Sequence, residues 1–132
     1  MSQENVEVVR ACCEASARGD WDAAMTAIHP EIVYDLSFFP EGRVYHGHAG
    51  IREAFRIWLG AWQDYRQEWD EILEAGDGTV VVIGRELARG KGSGIDVTRD
   101  VFAVWTMSEG RVIRIKFHPE REAALEAAGL PE

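Results

Sequence analysis

The chain has 132 residues, 46% of them hydrophobic, with a net charge of −9 and a pI near 4.9. That length suits one domain spanning residues 1–132 with a real core. The acidic balance repels an extended phosphate backbone, and without a Lys/Arg cluster interleaved with aromatics to overcome it nucleic acid is excluded as a partner.

The opening MSQENVEVV lacks a basic segment followed by an apolar run, and no stretch approaches the length of a bilayer span. The expectation is a cytoplasmic protein with no membrane partner. Ser2 can cap a first helix in which Val6, Val9 and Cys13 recur at helical spacing, and Gly19 ends it. Cys12 and Cys13 are helical neighbours whose side chains diverge by about 100°, so they cannot form an ordinary disulfide and are read as core. Asp20 caps a short second helix from Trp21 to Ile28, which Pro30 prevents from continuing.

A strand follows over Ile32–Leu36. With Ile32, Tyr34 and Leu36 on its inner face, Asp35 points the other way. Residues 37–47 (SFFPEGRVYHG) mix aromatics with Pro40 and Gly42, which suits a loop over a cavity mouth. A third helix from Ala49 to Tyr65 carries Ile51, Phe55, Trp58, Leu59 and Trp62 as one broad apolar stripe. An acidic strand over Gln67–Glu74 then turns at Gly76-Asp77-Gly78.

Residues 79–118 are three β-rich runs separated by two Gly-rich turns, the pattern of an antiparallel meander. Symmetric closure of the Gly90–Gly94 loop sets Arg85 opposite Asp100 and Glu86 opposite Arg99, two opposite-charge pairs on opposite faces. The Glu109-Gly110 turn sets Thr106 across from Ile113, Val104 from Ile115 and Phe102 from Phe117. The inner face is therefore expected to carry Val81, Ile83, Arg85, Asp100, Phe102, Val104, Ile115 and Phe117, and the outer face Val82, Glu86, Val101, Ala103 and Trp105. Both faces are too apolar in the middle to meet water, which predicts helices over the first and a homodimer partner over the second, around Trp105. His118 and Pro119 then open a last helix, Glu120–Ala128, closed by Gly129 and Pro131.

Several motifs in this order carry a family resemblance: Gly19-Asp20, His29-Pro30-Glu31, Gly47-His48-Ala49-Gly50-Ile51-Arg52-Glu53, Gly92-Ser93-Gly94, Val104-Trp105-Thr106 with Glu109-Gly110-Arg111, and the run from Glu122 to Leu130. Across nearly the whole chain it resembles the SnoaL-like polyketide cyclases and ketosteroid-isomerase-like proteins of the NTF2-like superfamily. The resemblance implies an α+β, NTF2-like (cystatin-like) cone. In it a curved, mainly antiparallel sheet wraps around three helices from the N-terminal half, with a short C-terminal helix, a pocket for a small molecule in the open end, and often a homodimer across the convex face.

Fold does not fix chemistry in this superfamily. The isomerase's catalytic carboxylate falls near Asp35 or Leu36, its tyrosine near Cys12 and its second aspartate near Phe102, so steroid isomerisation is disfavoured. The epoxide-hydrolase branch, with an Arg and carboxylates on neighbouring inward positions, is closer to Arg85 and Asp100. The expected catalytic set is Asp100 as acid/base, Arg85 as its positioner and Tyr34 as a hydrogen-bond donor. The expected ligand walls are Trp58, Trp62, Phe55, Phe102, Phe117 and Leu36, suited to a small apolar or aromatic molecule.

The competing reading makes Asp100–Arg85 a structural cross-strand pair. His118 is explained by helix capping, His46 and His48 by a loop rim, and neither a metal nor another cofactor is expected. An isomerase, cyclase or hydrolase of this type is one outcome. A non-catalytic carrier or sensor, or a structural dimerisation module, is the other.

Overall fold

A computed structural model describes residues 2–40, 42–76 and 78–131. The Ser2 side chain and Asp77, to which the sequence assigns a cap and a turn, lie outside what is described. Helices α1 (Ser2–Ala17) and α2 (Trp21–Thr26) precede strands β1 (Ile28–Asp35) and β2 (Val44–His46). Helix α3 (Gly47–Leu59) then leads into β3 (Trp62–Glu74), β4 (Thr79–Gly90), β5 (Asp96–Ser108) and β6 (Arg111–His118), with α4 (Arg121–Ala127) last. The strands form one sheet in the order β2-β1-β6-β5-β4-β3, antiparallel except where β1 runs parallel to β6. This is the open NTF2-like cone, with α1–α3 on its concave side.

Local chemistry explains the boundaries. Gly19 takes a left-handed φ of +78° after α1, and the Asp20 carboxylate accepts from the Ala23 N–H at 3.2 Å to cap α2. Strand β1 starts at Ile28, four residues earlier than expected. Pro30 is tolerated because the β1–β6 register shifts between Ile28 and Val33, where no ladder bond requires its missing N–H. Helix α3 ends at Gly60, not Tyr65, because the next residues join the sheet and Trp62 pairs with Gly90. Trp62 is therefore a strand residue and leaves the helical stripe to Ile51, Phe55 and Trp58.

The β4–β5 register is the expected one: Arg85 opposes Asp100 and Glu86 opposes Arg99. The β5–β6 register is not. Met107 pairs with Val112, but Thr106 pairs with Arg114, so Ile113 is an extra residue and every later partner moves by one. Ile115 thus lies opposite Trp105 and Phe117 opposite Ala103. The expected faces of β4 and β5 are consequently exchanged. Val80, Val82, Ala103, Trp105 and Ile115 pack against Val9, Met25 and Ile51 in the concave core.

Val81, Ile83 and Val104 face outward, where Ala124 and Leu125 of α4 cover them. Burying Leu125 there contributes about 2 kcal/mol. Trp105 is 8% exposed and interior, so it is not the exposed anchor of a dimer. The N-cap of α4 is Glu120, whose side chain makes no cap bond, and the capping role expected of His118 is not observed.

Candidate functional site

The concave face encloses a cavity of about 430 Å³. Its floor is apolar: Cys12, Met25, Ile28 and Ile51 come from the first half of the chain, Val82 and Ala103 from the sheet. Phe39, Pro40, Gly42 and Tyr45 line the mouth, as the aromatic loop predicts. Leu36, Phe55, Trp58 and Phe117, four of the six expected wall residues, are in the wall, together with Tyr34, the expected hydrogen-bond donor. Tyr34 stacks at 5.6 Å from both Phe55 and Phe117, edge-on to the latter.

Two expected wall residues are elsewhere. Phe102 packs outward against the cluster under α4, because the Ile113 bulge reverses its parity. Trp62 sits in β3 behind Trp58, with ring centres 5.3 Å apart.

The second of the two charge pairs stands in the cavity wall, which Ser16, Gln67, Glu68 and Arg85 also line. Glu86 and Arg99, register partners on the concave face, form an ion pair whose side chains are only 11% and 28% exposed. The Tyr65 hydroxyl donates to the other carboxylate oxygen of Glu86, and Gln67 Nε2 donates to Tyr65 at 2.8 Å. Arg99 is clamped between rings, its guanidinium carbon 4.3 Å from the centres of both Phe39 and Trp58. Each such cation–π contact contributes roughly 1 kcal/mol and holds the mouth loop to α3. Burial, reinforced by the Glu86 charge, pushes the Tyr34 phenol far above its ordinary pKa, and burial and Glu86 do the same to Tyr65. Both therefore stay protonated as donors near neutral pH.

Asp100 is exposed, on the face opposite the cavity. Its register partner Arg85 contributes to the rim, but the guanidinium is committed to β3: Nε donates to Glu68 at 2.9 Å, and a terminal nitrogen is 3.7 Å from Asp70. The Asp100–Arg85–Tyr34 constellation is thus not assembled, and of its three members only Tyr34 is inside.

Asp35 points away from the cavity, as its parity predicts. Burial alone would raise its pKa, but two hydrogen bonds from Ser37 and the charge of Lys116 hold the carboxyl below the usual range. His118 lies on the same outer face, its pKa lowered by burial and by Lys116 and Arg114. Cys12 is buried in the floor, where desolvation pushes its thiol up to about 12, too high for a nucleophile at neutral pH. His48 Nε2 is 2.7 Å from the Ile28 carbonyl oxygen and serves the structure. Among the described residues no three His, Cys, Asp or Glu side chains converge as metal ligands, and no helix is long and apolar enough to cross a membrane.

A curved open sheet around three helices, closed below and open at an aromatic mouth, is the architecture of a small-molecule-binding NTF2-like domain. Residues 9–115 match the SnoaL-like domain family, and the chain belongs to that family. Among solved structures, TerC, co-crystallized with polyporic acid, is 25% identical over 96% of this chain and 98% of its own, with a TM-score of 0.76. An NTF2-like protein from Burkholderia thailandensis is 26% identical over 96% and 98%, with a TM-score of 0.78. A protein from Xanthomonas campestris assigned provisionally as a polyketide cyclase is 20% identical over the same shares, with a TM-score of 0.71, and shows the fold alone. No curated protein matches the chain.

Proposed function

We propose that this protein binds a small, largely apolar aromatic molecule in the cone, in the cytoplasm, and transforms it without a cofactor as an isomerase, cyclase or hydrolase, with Glu86 as the acid/base. The observation that carries this reading is a carboxylate almost removed from solvent in the wall of an aromatic cavity. A single carboxylate can take a proton from bound substrate and return it to another atom. Arg99 pairs with one oxygen of Glu86, and the Tyr65 hydroxyl donates to the other and orients it. Tyr34, Leu36, Phe55, Trp58 and Phe117 serve as binding walls. The family membership and the polyporic acid bound by TerC support an aromatic ligand of this size class.

The test has two stages. Calorimetric titration with polyporic acid should give saturable binding that Val101→Trp, which fills the cavity, removes without lowering the melting temperature. A flat titration for the wild type counts against the aromatic pocket. Mass spectrometry of a bacterial metabolite extract should then reveal a compound consumed by the wild type and untouched by Glu86→Gln. If wild type and variant both retain a compound unchanged, the protein is a carrier or sensor.

The homodimer remains a proposal, moved from Trp105 to the outer-face surface that α4 leaves open around Asp100. Light scattering at twice the chain mass of 14.8 kDa supports it, and the mass of one chain rejects it.

A further inference from the structure

A second groove, of about 280 Å³, opens on the face of the sheet opposite the cone, flanked by β6 and the end of α4. Arg114, Lys116 and His118 alternate along β6 with the inward-facing Ile115 and Phe117 and form one side of it. Thr79 pairs with Thr106, and Thr106 with Arg114, so two hydroxyls and a guanidinium stand in one row across three adjacent strands. Neither hydroxyl has a hydrogen-bond partner among the described residues. No carboxylate lines the groove.

The charges there are unevenly matched. In the other ion pairs among the described residues, each arginine has one or two carboxylates to itself. Arg114 and Lys116 share a single oxygen of Asp35, at 3.7 and 3.6 Å, too far for a full hydrogen bond. The other oxygen of Asp35 is taken by Ser37. One positive charge is therefore left over, in a chain whose net charge is −9. Burial lowers the His118 pKa first, and Lys116 and Arg114 lower it further, against the opposing charge of Asp35. His118 Nε2 is closed to solvent, so the ring senses the groove and does not itself bind there.

We propose that this groove binds a dianionic phosphoryl group, either inorganic phosphate or the phosphate monoester of a small alcohol. Arg114 offers a bidentate fork and Lys116 a mobile ammonium. The Thr79 and Thr106 hydroxyls add donors from neighbouring strands, which suits the three terminal oxygens of a tetrahedral group better than the two coplanar oxygens of a carboxylate. The groove is larger than a bare phosphate needs, and Val104 and Ala127 offer ester carbons an apolar strip. The net charge of −9 repels a phosphate polymer or an anionic membrane, which leaves a small ligand. Thr106 stands six residues, about 20 Å, along β5 from Asp100, clear of the surface proposed for the homodimer. The site lies across the sheet from the cone and does not depend on what the cone binds.

The test is calorimetric titration at low salt and about pH 8, where inorganic phosphate, glycerol 3-phosphate and malonate are all dianions. Both phosphoryl probes should saturate, and malonate, with the same charge on planar carboxylates, should bind about five-fold more weakly or worse. Tighter binding of glycerol 3-phosphate than of inorganic phosphate identifies a monoester as the ligand, and the reverse order identifies the free ion. Arg114→Gln and Lys116→Gln should each weaken phosphoryl binding about ten-fold, the loss expected for a charge-assisted hydrogen bond, and Thr106→Val about three-fold. Arg18→Gln removes the same charge outside the groove and should stay within about two-fold of wild type. Arg114 and Lys116 are 48% and 36% exposed, so their variants should fold. The wild type supplies an independent readout by NMR. Sulfate, a tetrahedral dianion throughout the pH titration, should raise the His118 ring midpoint above its value in chloride of equal ionic strength. Phosphoryl probes that fail to saturate, malonate that binds as tightly, affinity indifferent to both Arg114→Gln and Lys116→Gln, or an unmoved His118 midpoint overturns the site.

Discussion

Replacing Glu86 by Ala tests the exchange of faces directly, because the same substitution at Asp100 serves as its control. Glu86 accepts from Arg99 on one oxygen and from the Tyr65 hydroxyl on the other, at 11% side-chain exposure. Hydrogen bonds to a charged group contribute about 1.5–3 kcal/mol each, and deleting the carboxylate leaves both donors facing an apolar void. Arg99 retains its two ring contacts and is a quarter open to water, so the upper end of that sum is discounted. The expected loss is ~3 kcal/mol, a large fraction of the ~5–15 kcal/mol by which such a domain is stable. With a urea slope of roughly 2 kcal/mol per M, the unfolding midpoint should fall by about 1.5 M. Asp100→Ala removes an exposed side chain from the opposite face and should leave the unfolding free energy within ~0.5 kcal/mol of wild type. Equal losses for the two variants, measured by urea titration followed by circular dichroism, would show that the Glu86–Arg99 pair is not buried and would refute the site described above.

Three further outcomes follow from the geometry. A Cβ at Gly84 would stand 2.1 Å from the Glu68 carbonyl oxygen and 3.0 Å from Trp69 Cα, so Gly84→Ala must push β3 outward at a cost of roughly 3 kcal/mol; an unchanged melting temperature contradicts the close approach. Trp105→Glu puts a charge into the concave core, so it should lower stability and abolish ligand binding; a folded variant whose only change is in mass by light scattering would restore Trp105 as an interface residue. His118, whose pKa is lowered in the fold, favours the neutral ring; its contribution is present in full above an unfolded-state pKa near 6.5 and is lost as pH falls through the lower folded value. Stability should therefore decline as pH falls below about 6.5, and His118→Asn should flatten that slope in urea midpoints taken at successively lower pH.

The fold was legible because independent signals agree along the chain. Gly19 and Asp20 mark one helix boundary, the paired charges of β4 and β5 hold one register, and the Gly-rich turns separate the strands of the meander. The α3 boundary was harder to see. Trp62 continues the helical stripe in sequence, and only its pairing with Gly90, contributed by a distant strand, takes it into β3. The site was legible as a pair of alternatives: the residues 85/100 and 86/99 offer the same chemistry on opposite faces, and choosing between them requires knowing which face is concave. Phe39 was visible as rim, but its contact with Arg99 depends on the concave placement of that arginine. Tyr65 and Gln67 were masked by the overextended helix and by an acidic strand with no evident apolar face.

One residue decides the choice of faces. Ile115 and Phe117 face inward in either arrangement, and the Ile113 bulge determines whether Val104 and Phe102 or Trp105 and Ala103 share their side. An apolar β-branched residue in an alternating run carries no mark of a bulge, which arises from fitting β6 simultaneously against β5 and the parallel β1. Residue size offers the better clue. The true concave face places Gly84 and Ala103 among larger neighbours, and small side chains on the side that faces three helices leave room for a cavity. The expected concave face would have filled that space with Ile83, Phe102 and Val104, side chains that instead form the landing for Ala124 and Leu125 of α4. Ile83, Phe102 and Val104 meet the small C-terminal helix, while Gly84 and Ala103 on the opposite face leave the space in which Glu86 and Arg99 stand.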